Sequence, residues 1–224
     1  MPALIRVGHK GADALAPGNT LASFDAAIAV GVEMIEFDVL PARRGGALYV
    51  AHDFGALDRA NPLLLEDALA HMSTPAYDGV RLQLDIKRPG AEPAVAAALR
   101  RSGTLSRAFV STAVASVLAR FRELEPGLPL GWTVPDLPGV LLTPPGAKRR
   151  YRRLLPRRAA ARIAGGAIDA LVAHWSVVTA ELVEAVAGAG GEIYAWTVDD
   201  RAQIQRLAAL GVTGVITNDP RLFG

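Results

Sequence analysis

Cysteine is absent from the 224 residues, which excludes a disulfide scaffold and thiolate chemistry. Aromatic residues are scarce at 6%, and histidine occurs only at positions 9, 52, 71 and 174. No apolar run approaches the roughly 20 residues that span a bilayer. The opening MPALIRVGHKG lacks the basic start and long apolar stretch of a secretion signal, so a cytoplasmic protein is expected. What the chain does have is apolar material. It is 51% hydrophobic and 21% charged, enough to bury a sizeable core and far from a disordered composition.

The formal net charge of +2 hides an uneven distribution. Residues 148–162, KRRYRRLLPRRAAAR, contain eight bases and no acid, whereas acids outnumber bases elsewhere. Such a run is either a solvated helix face or a contact for an anionic membrane surface, which would make the protein peripheral at the membrane. A nucleic-acid partner is not expected, because Tyr151 is the run's only aromatic and no binding motif accompanies it.

Short β-branched runs alternate with alanine-rich helical patterns along the chain. Strands are expected near 4–8, 34–40, 47–52, 81–86, 108–111, 130–133, 170–173, 192–197 and 214–217. Asn19 or Thr20 can cap the first helix, and Asp199 or Asp200 the last long one. Only PARRGG separates the second and third strands, too little for a parallel crossover. The third must therefore fold back as a hairpin arm. Removing it leaves eight βα units, the number that closes a (β/α)8 TIM barrel, here a single domain over residues 1–224.

Barrel chemistry sits at the C-terminal ends of the strands. Read in order, those ends deliver His9 and Lys10, then Glu36 and Asp38, then His52 and Asp53 from the hairpin arm, then Asp85 and Lys87. Glu36 and Asp38 are two apart and share a face of their strand. Crowded carboxylates repel unless a cation lies between them. With Asp85 they make an all-oxygen set suited to one hard divalent cation, Mg²⁺ or Ca²⁺. The competing reading pairs the same acids with Lys10 and Lys87 in a structural ion network. His9 and His52 are the natural general acid and base, and Lys10 and Lys87 supply positive charge for an anionic substrate.

At this point the run from His9 to Asp53, with its HKG, PGNT, EFD and HD motifs, resembles the opening signature of the glycerophosphodiester phosphodiesterase family. The similarity continues through LDIK at 84–87, AWTVDD at 195–200 and GVITNDP at 214–220, so it covers nearly the whole chain. The resemblance implies His9 and His52 as the acid–base pair, Glu36, Asp38 and Asp85 as metal ligands, and Lys87 as a phosphate contact. It implies a small-molecule or lipid phosphodiester as substrate, cleaved to an alcohol and a glycerol phosphate. It also places Asn19 near the site as a candidate substrate contact and favours Trp196 as a lining residue. His174, which ends a strand, is a further candidate substrate contact. Trp132, Trp175 and Trp196 all fall near strand ends, where they either ring the mouth or pack the barrel rim. His71, within EDALAHM, reads as a surface or satisfied helix residue, and Asn218 as either a turn former or a contact to a carboxylate or substrate.

Four departures from the family pattern are visible. Lys10 replaces an arginine and loses its bidentate fork. Gly18 replaces a glutamate. Asp85 replaces a glutamate, giving an Asp-x-Lys that is similar to the spider-venom sphingomyelinase D enzymes and their cyclic phosphate product. Only about 30 residues separate His52 from LDIK, where classical members carry a longer substrate-covering insertion. A more open site would suit a bulky or membrane-embedded diester. A non-catalytic phosphate-ligand-binding barrel is the alternative that these departures raise.

Overall fold

A computed structural model describes residues 3–58, 62–136 and 146–224. Within them the strands are β1 (Ile5–Gly8), β2 (Met34–Pro41), β3 (Leu48–Val50), β4 (Arg81–Ile86), β5 (Ala108–Thr112), β6 (Leu130–Val134), β7 (Ala170–His174), β8 (Glu192–Trp196) and β9 (Gly214–Thr217). The helices are α1 (Leu21–Val30), α2 (Phe54–Leu57), α3 (Leu65–Met72), α4 (Glu92–Arg101), α5 (Ala115–Leu124), α6 (Ala147–Ala164), α7 (Ala180–Gly188) and α8 (Arg201–Leu210).

All strands but β3 are parallel, and β1 pairs with both β9 and β2, which closes an eight-stranded barrel. β3 stands outside it, bonded antiparallel to β2 through Val39–Val50, Leu40–Tyr49 and Pro41–Leu48. The hairpin arm is thus present but shorter than expected. It ends at Val50, which leaves His52 on the turn into α2 rather than on a strand.

Alternation sorts the side chains. Ile35, Phe37 and Val39 point out of β2 into the layer beneath the helices, where Phe37 meets Phe24 of α1 at 5.6 Å between ring centres. Inside the barrel a second apolar layer holds Val7, Met34, Phe109, Val172, Tyr194 and Ile216. Two inward positions must be glycine to admit its rings. A Cβ on Gly131 would come within 2.5 Å of the Phe109 ring, and one on Gly214 within 2.7 Å of Tyr194. The floor of the barrel is therefore filled, and open volume is left only above it.

Helix ends follow local chemistry. Thr20 caps α1 through a reciprocal bond with Ser23, and Gly31 ends that helix at φ 86°. Asp200 caps α8 by accepting from the Gln203 N–H. Asn19 and Asp199, the other cap candidates, are left free for different work. Among the described residues no helix is long and apolar enough to cross a membrane.

Candidate active site

Strand register brings the acids together. β2 turns Glu36 and Asp38 into the barrel, and Asp38 lies directly opposite Asp85 of β4. Carboxylate oxygens of these three residues all lie within 4.8 Å of one another. Neighbours fix each one. Asn19, at φ 60°, donates its amide N–H to Asp38 Oδ2 at 2.7 Å and accepts the Asp38 backbone N–H at 3.1 Å. The Lys10 backbone N–H donates to Glu36 Oε2 at 3.0 Å. Asp85 Oδ1 accepts from Ser111 at 3.0 Å and Thr133 at 3.1 Å. Lys87 reaches into the cluster, with Nζ 2.6 Å from Asp38 Oδ1 and paired also with Asp85.

The electrostatics are unbalanced. Burial pushes Asp38 up, but Lys87 overrides it and holds that carboxyl below its ordinary value. Burial also works against the charge of Lys87, yet Asp85, Asp38 and Glu36 outweigh it and raise the ammonium pKa. Glu36 has no such relief. Burial, then the charge of Asp38, push its carboxyl up to about 8. At Glu36, burial and the neighbouring carboxylates together outweigh the pull of Lys87. A divalent cation fits this donor set, since it would meet three converging oxygens and offset their mutual repulsion. Both sequence readings thus hold in part: Lys87 does join a network with the acids, and the network still has room for a cation's charge.

His9 sits beside the acids on the end of β1. Its Nδ1 lies 2.5 Å from Asn218 Oδ1, while the Asn218 amide nitrogen donates to Asp199 Oδ2 at 2.6 Å. Asp199 Oδ1 also takes the Asn218 backbone N–H at 2.8 Å and the Thr217 hydroxyl at 3.0 Å. Because Asp199 engages the NH₂ end, Asn218 presents its oxygen, and His9 Nδ1 must be the donor. Nε2 is then aimed inward, 3.9 Å from Glu36 Oε2. Burial lowers the His9 pKa, and the Asn218 bond offsets only part of this. His52 differs. Its side chain is 57% exposed at the rim, with Nδ1 3.1 Å from Asp53.

A cavity of about 360 Å³ opens over the cluster, lined by His9, Glu36, His52, Asp85, Lys87 and Trp196 among others. A second cleft of about 660 Å³ adjoins it and shares Lys10 and His52, with Asn19 in its wall. Trp196 donates its indole N–H to the Val172 carbonyl at 3.1 Å, so its ring meets the cavity as an apolar face. His174 is not among the lining residues; it packs edge-on against Trp196 at 5.4 Å and bonds Ser176. Of the three tryptophans, Trp196 lines the cavity and the other two do not. Trp132 points out of the barrel beneath the Arg162 guanidinium at 4.1 Å, because its neighbour Thr133 holds the inward phase. Trp175 lies in the turn after β7 and is partly exposed. His71 is satisfied by Asp25 at 2.8 Å, as its helical setting suggested.

Asp199, Ser111 and Thr133 were not singled out from sequence. The inward phase of β5 and β6 would have found Ser111 and Thr133 once the register was known. Asp199 gave no signal beyond its motif, where it looked like a helix cap.

The sequence pattern of the Glycerophosphoryl diester phosphodiesterase family matches residues 9–62 and 81–222. YhdW of Bacillus subtilis, a candidate glycerophosphodiester phosphodiesterase, is 24% identical over 96% of this chain and 94% of its own. Glycerophosphodiester phosphodiesterase GDPD4 of Arabidopsis thaliana is 38% identical over 72 residues, 32% of this chain and 20% of that one. Among solved structures, the Agrobacterium tumefaciens glycerophosphodiester phosphodiesterase shares the fold with a TM-score of 0.75, at 21% identity over 99% of both chains. An Oleispira antarctica phosphodiesterase in complex with the product sn-glycerol-3-phosphate also superposes with a TM-score of 0.75, at 20% identity, covering 97% of this chain and 94% of that one.

Proposed function

Since this chain belongs to the glycerophosphoryl diester phosphodiesterase family, and is thereby a phosphoric diester hydrolase, we propose that it cleaves glycerophosphodiesters or lysophospholipids to an alcohol and a glycerol phosphate, with His9 and His52 exchanging the protons. The observation that carries this reading is the orientation of His9. Asn218 occupies Nδ1, so Nε2 is the atom left to exchange a proton with a group in the cavity. His52 reaches the same cavity from the hairpin side. One histidine accepts the proton of the neighbouring substrate hydroxyl that attacks phosphorus, the other protonates the leaving alcohol, and water then opens the cyclic phosphate to the glycerol phosphate.

Glu36, Asp38 and Asp85 would hold one divalent cation, Mg²⁺ or Ca²⁺. When bound it supplies Lewis-acid stabilisation of charge on the phosphoryl oxygens. Asn19 keeps Asp38 in place for that role and is better read as a positioning residue than as a substrate contact. Lys87 and Lys10 add positive charge beside the reacting phosphate. Trp196 offers a flat apolar face to the glycerol or acyl part, with His174 packed against its edge. The product complex of the Oleispira antarctica enzyme supports a glycerol phosphate as what such a barrel releases.

The short span between β3 and β4 favours the bulkier substrate. Apart from α2, α3 and a 3₁₀ turn at Pro75–Tyr77, the described residues there form no unit that covers the mouth. The test is release of choline or glycerol from glycerophosphocholine and lysophosphatidylcholine with Mg²⁺, Ca²⁺ or EDTA, beside His9→Ala. Metal-dependent release lost in the variant is expected, with lysophosphatidylcholine preferred. Phosphorus NMR of the product distinguishes hydrolysis from arrest at a cyclic phosphate. Binding without turnover under any metal would leave a phosphate-binding barrel instead.

A further inference from the structure

The basic run is absorbed by none of this chemistry, and its place in the fold is specific. It forms most of α6, which contains no acidic residue. Arg149, Arg150, Arg152, Arg153, Arg157 and Arg158 are exposed, and none of them forms an ion pair with a described residue. Leu155 and Ala159 supply the buried stripe. At about 100° per residue, Arg149, Arg150, Arg153 and Arg157 fall on one arc facing away from that stripe.

The C-terminal end of α6 lies at the floor, where the Ile163 side chain abuts Gly191 just before β8. At 1.5 Å per residue, Arg153 stands roughly 15 Å above Ile163 and Arg149 roughly 21 Å. Trp196, five residues up a tilted strand from Gly191, stands only about 13–17 Å above the same floor. Arg149, Arg150 and Arg153 are therefore level with the mouth of the cavity or above it, and Arg157, roughly 9 Å above Ile163, continues the same arc below it. Across the opening, Arg43 of the β2–β3 turn and Arg88 after β4 both stack on Phe54, at 4.3 and 5.0 Å. Cations thus flank the open mouth from two sides, on the face through which substrate must enter.

We propose that this face docks on an anionic phospholipid surface, with the α6 arginines as the main contact, so that the cavity opens onto the lipid. The proposal rests on the phosphodiesterase reading and extends it to where the enzyme works. An anionic bilayer suits a run of exposed arginines that pair with no described acid. A nucleic acid is less well matched, because the exposed arc carries no aromatic on which bases could stack.

The experiment is flotation of the full chain with phosphatidylcholine vesicles, with and without phosphatidylglycerol, at low and high salt. Arg149→Glu/Arg153→Glu/Arg157→Glu and the milder Arg149→Gln/Arg153→Gln/Arg157→Gln are compared with the parent. Expected is binding only to the anionic vesicles, weakened by salt, and weaker in the Gln variant by about a hundredfold, at roughly fivefold per arginine. Turnover of soluble glycerophosphocholine should be unchanged in both variants, while turnover of lysophosphatidylcholine carried in anionic vesicles falls. Equal flotation of parent and variants, no flotation of the parent, or binding to duplex DNA but not to vesicles would overturn the proposal. Absence of turnover in all proteins would instead sink the phosphodiesterase reading, and flotation would still decide the docking surface.

Discussion

His9 and Asp199 do not bond to each other, yet both hold Asn218, which accepts from the histidine with its oxygen and donates to the aspartate with its nitrogen. The arrangement locks the amide against flipping, and the amide in turn locks the tautomer of His9. On the proposed mechanism Asp199 would act through orientation rather than contact. Asn218→Ala and Asp199→Ala should each lower kcat by about a hundredfold, the scale expected when a reacting group loses its alignment. KM should change little. A loss confined to KM, measured in steady-state kinetics with saturating metal, would show that Asn218 contacts substrate instead.

The displaced carboxyl of Glu36 makes a prediction about pH. In the metal-free fold it binds its proton up to about pH 8, whereas an ordinary glutamate loses it near 4.5. Between those values the folded state holds more protons than the unfolded one, so this group's contribution to stability falls as pH rises. His9, whose pKa is lowered, acts in the opposite sense near neutrality. The variant Glu36→Gln isolates the glutamate. The parent in EDTA should lose thermal stability relative to this variant from pH 5 to pH 8. Added Mg²⁺ or Ca²⁺ should restore more at pH 8, because binding requires the deprotonated carboxyl. A parent-minus-variant difference that stays flat with pH would remove the case for a charge-starved site.

Asn19 bonds Asp38 through both ends of its amide. Replacing it with alanine should weaken divalent-cation affinity by roughly ten- to a hundredfold, as expected for a group that orients a ligand from behind. Isothermal titration with metal alone reads this directly. Turnover at saturating metal should recover much of its level. Failure to recover would assign Asn19 to the substrate after all.

These three predictions divide along what the sequence could carry. The eight-unit barrel was legible because strands alternate strictly with helices and because six residues between β2 and β3 cannot make a parallel crossover. Glu36, Asp38 and Asp85 were legible because two-residue spacing fixes a shared face within a strand. Contacts between distant strands were not. That Thr133 rather than Trp132 faces inward and that Asn218 reaches His9 both depend on register, which local sequence does not encode. The same holds for the choice between Asn19 and Thr20 as a cap, since either side chain can do it and tertiary contact with Asp38 decided the matter.

Gly18 offers the sharpest test of how this chain departs from the family pattern. The position carries a glutamate in that pattern; in this fold the Asp13 carboxylate lies against it instead. Its Oδ1 accepts the Gly18 N–H at 2.7 Å, and a Cβ on residue 18 would come within 2.5 Å of that oxygen and 2.9 Å of the Lys10 Cβ. The two positions are therefore coupled. Gly18→Glu alone should cost about 1–3 kcal/mol, the usual range for overpacking, chiefly because its Cβ would run into the Asp13 carboxylate. Asp13→Gly alone should cost less, since it leaves only an exposed N–H unpaired. Together they should regain most of the loss, with a coupling of about 1 kcal/mol or more in a double-mutant cycle read by urea unfolding. Strict additivity would mean that Asp13 does not fill the space of the missing glutamate.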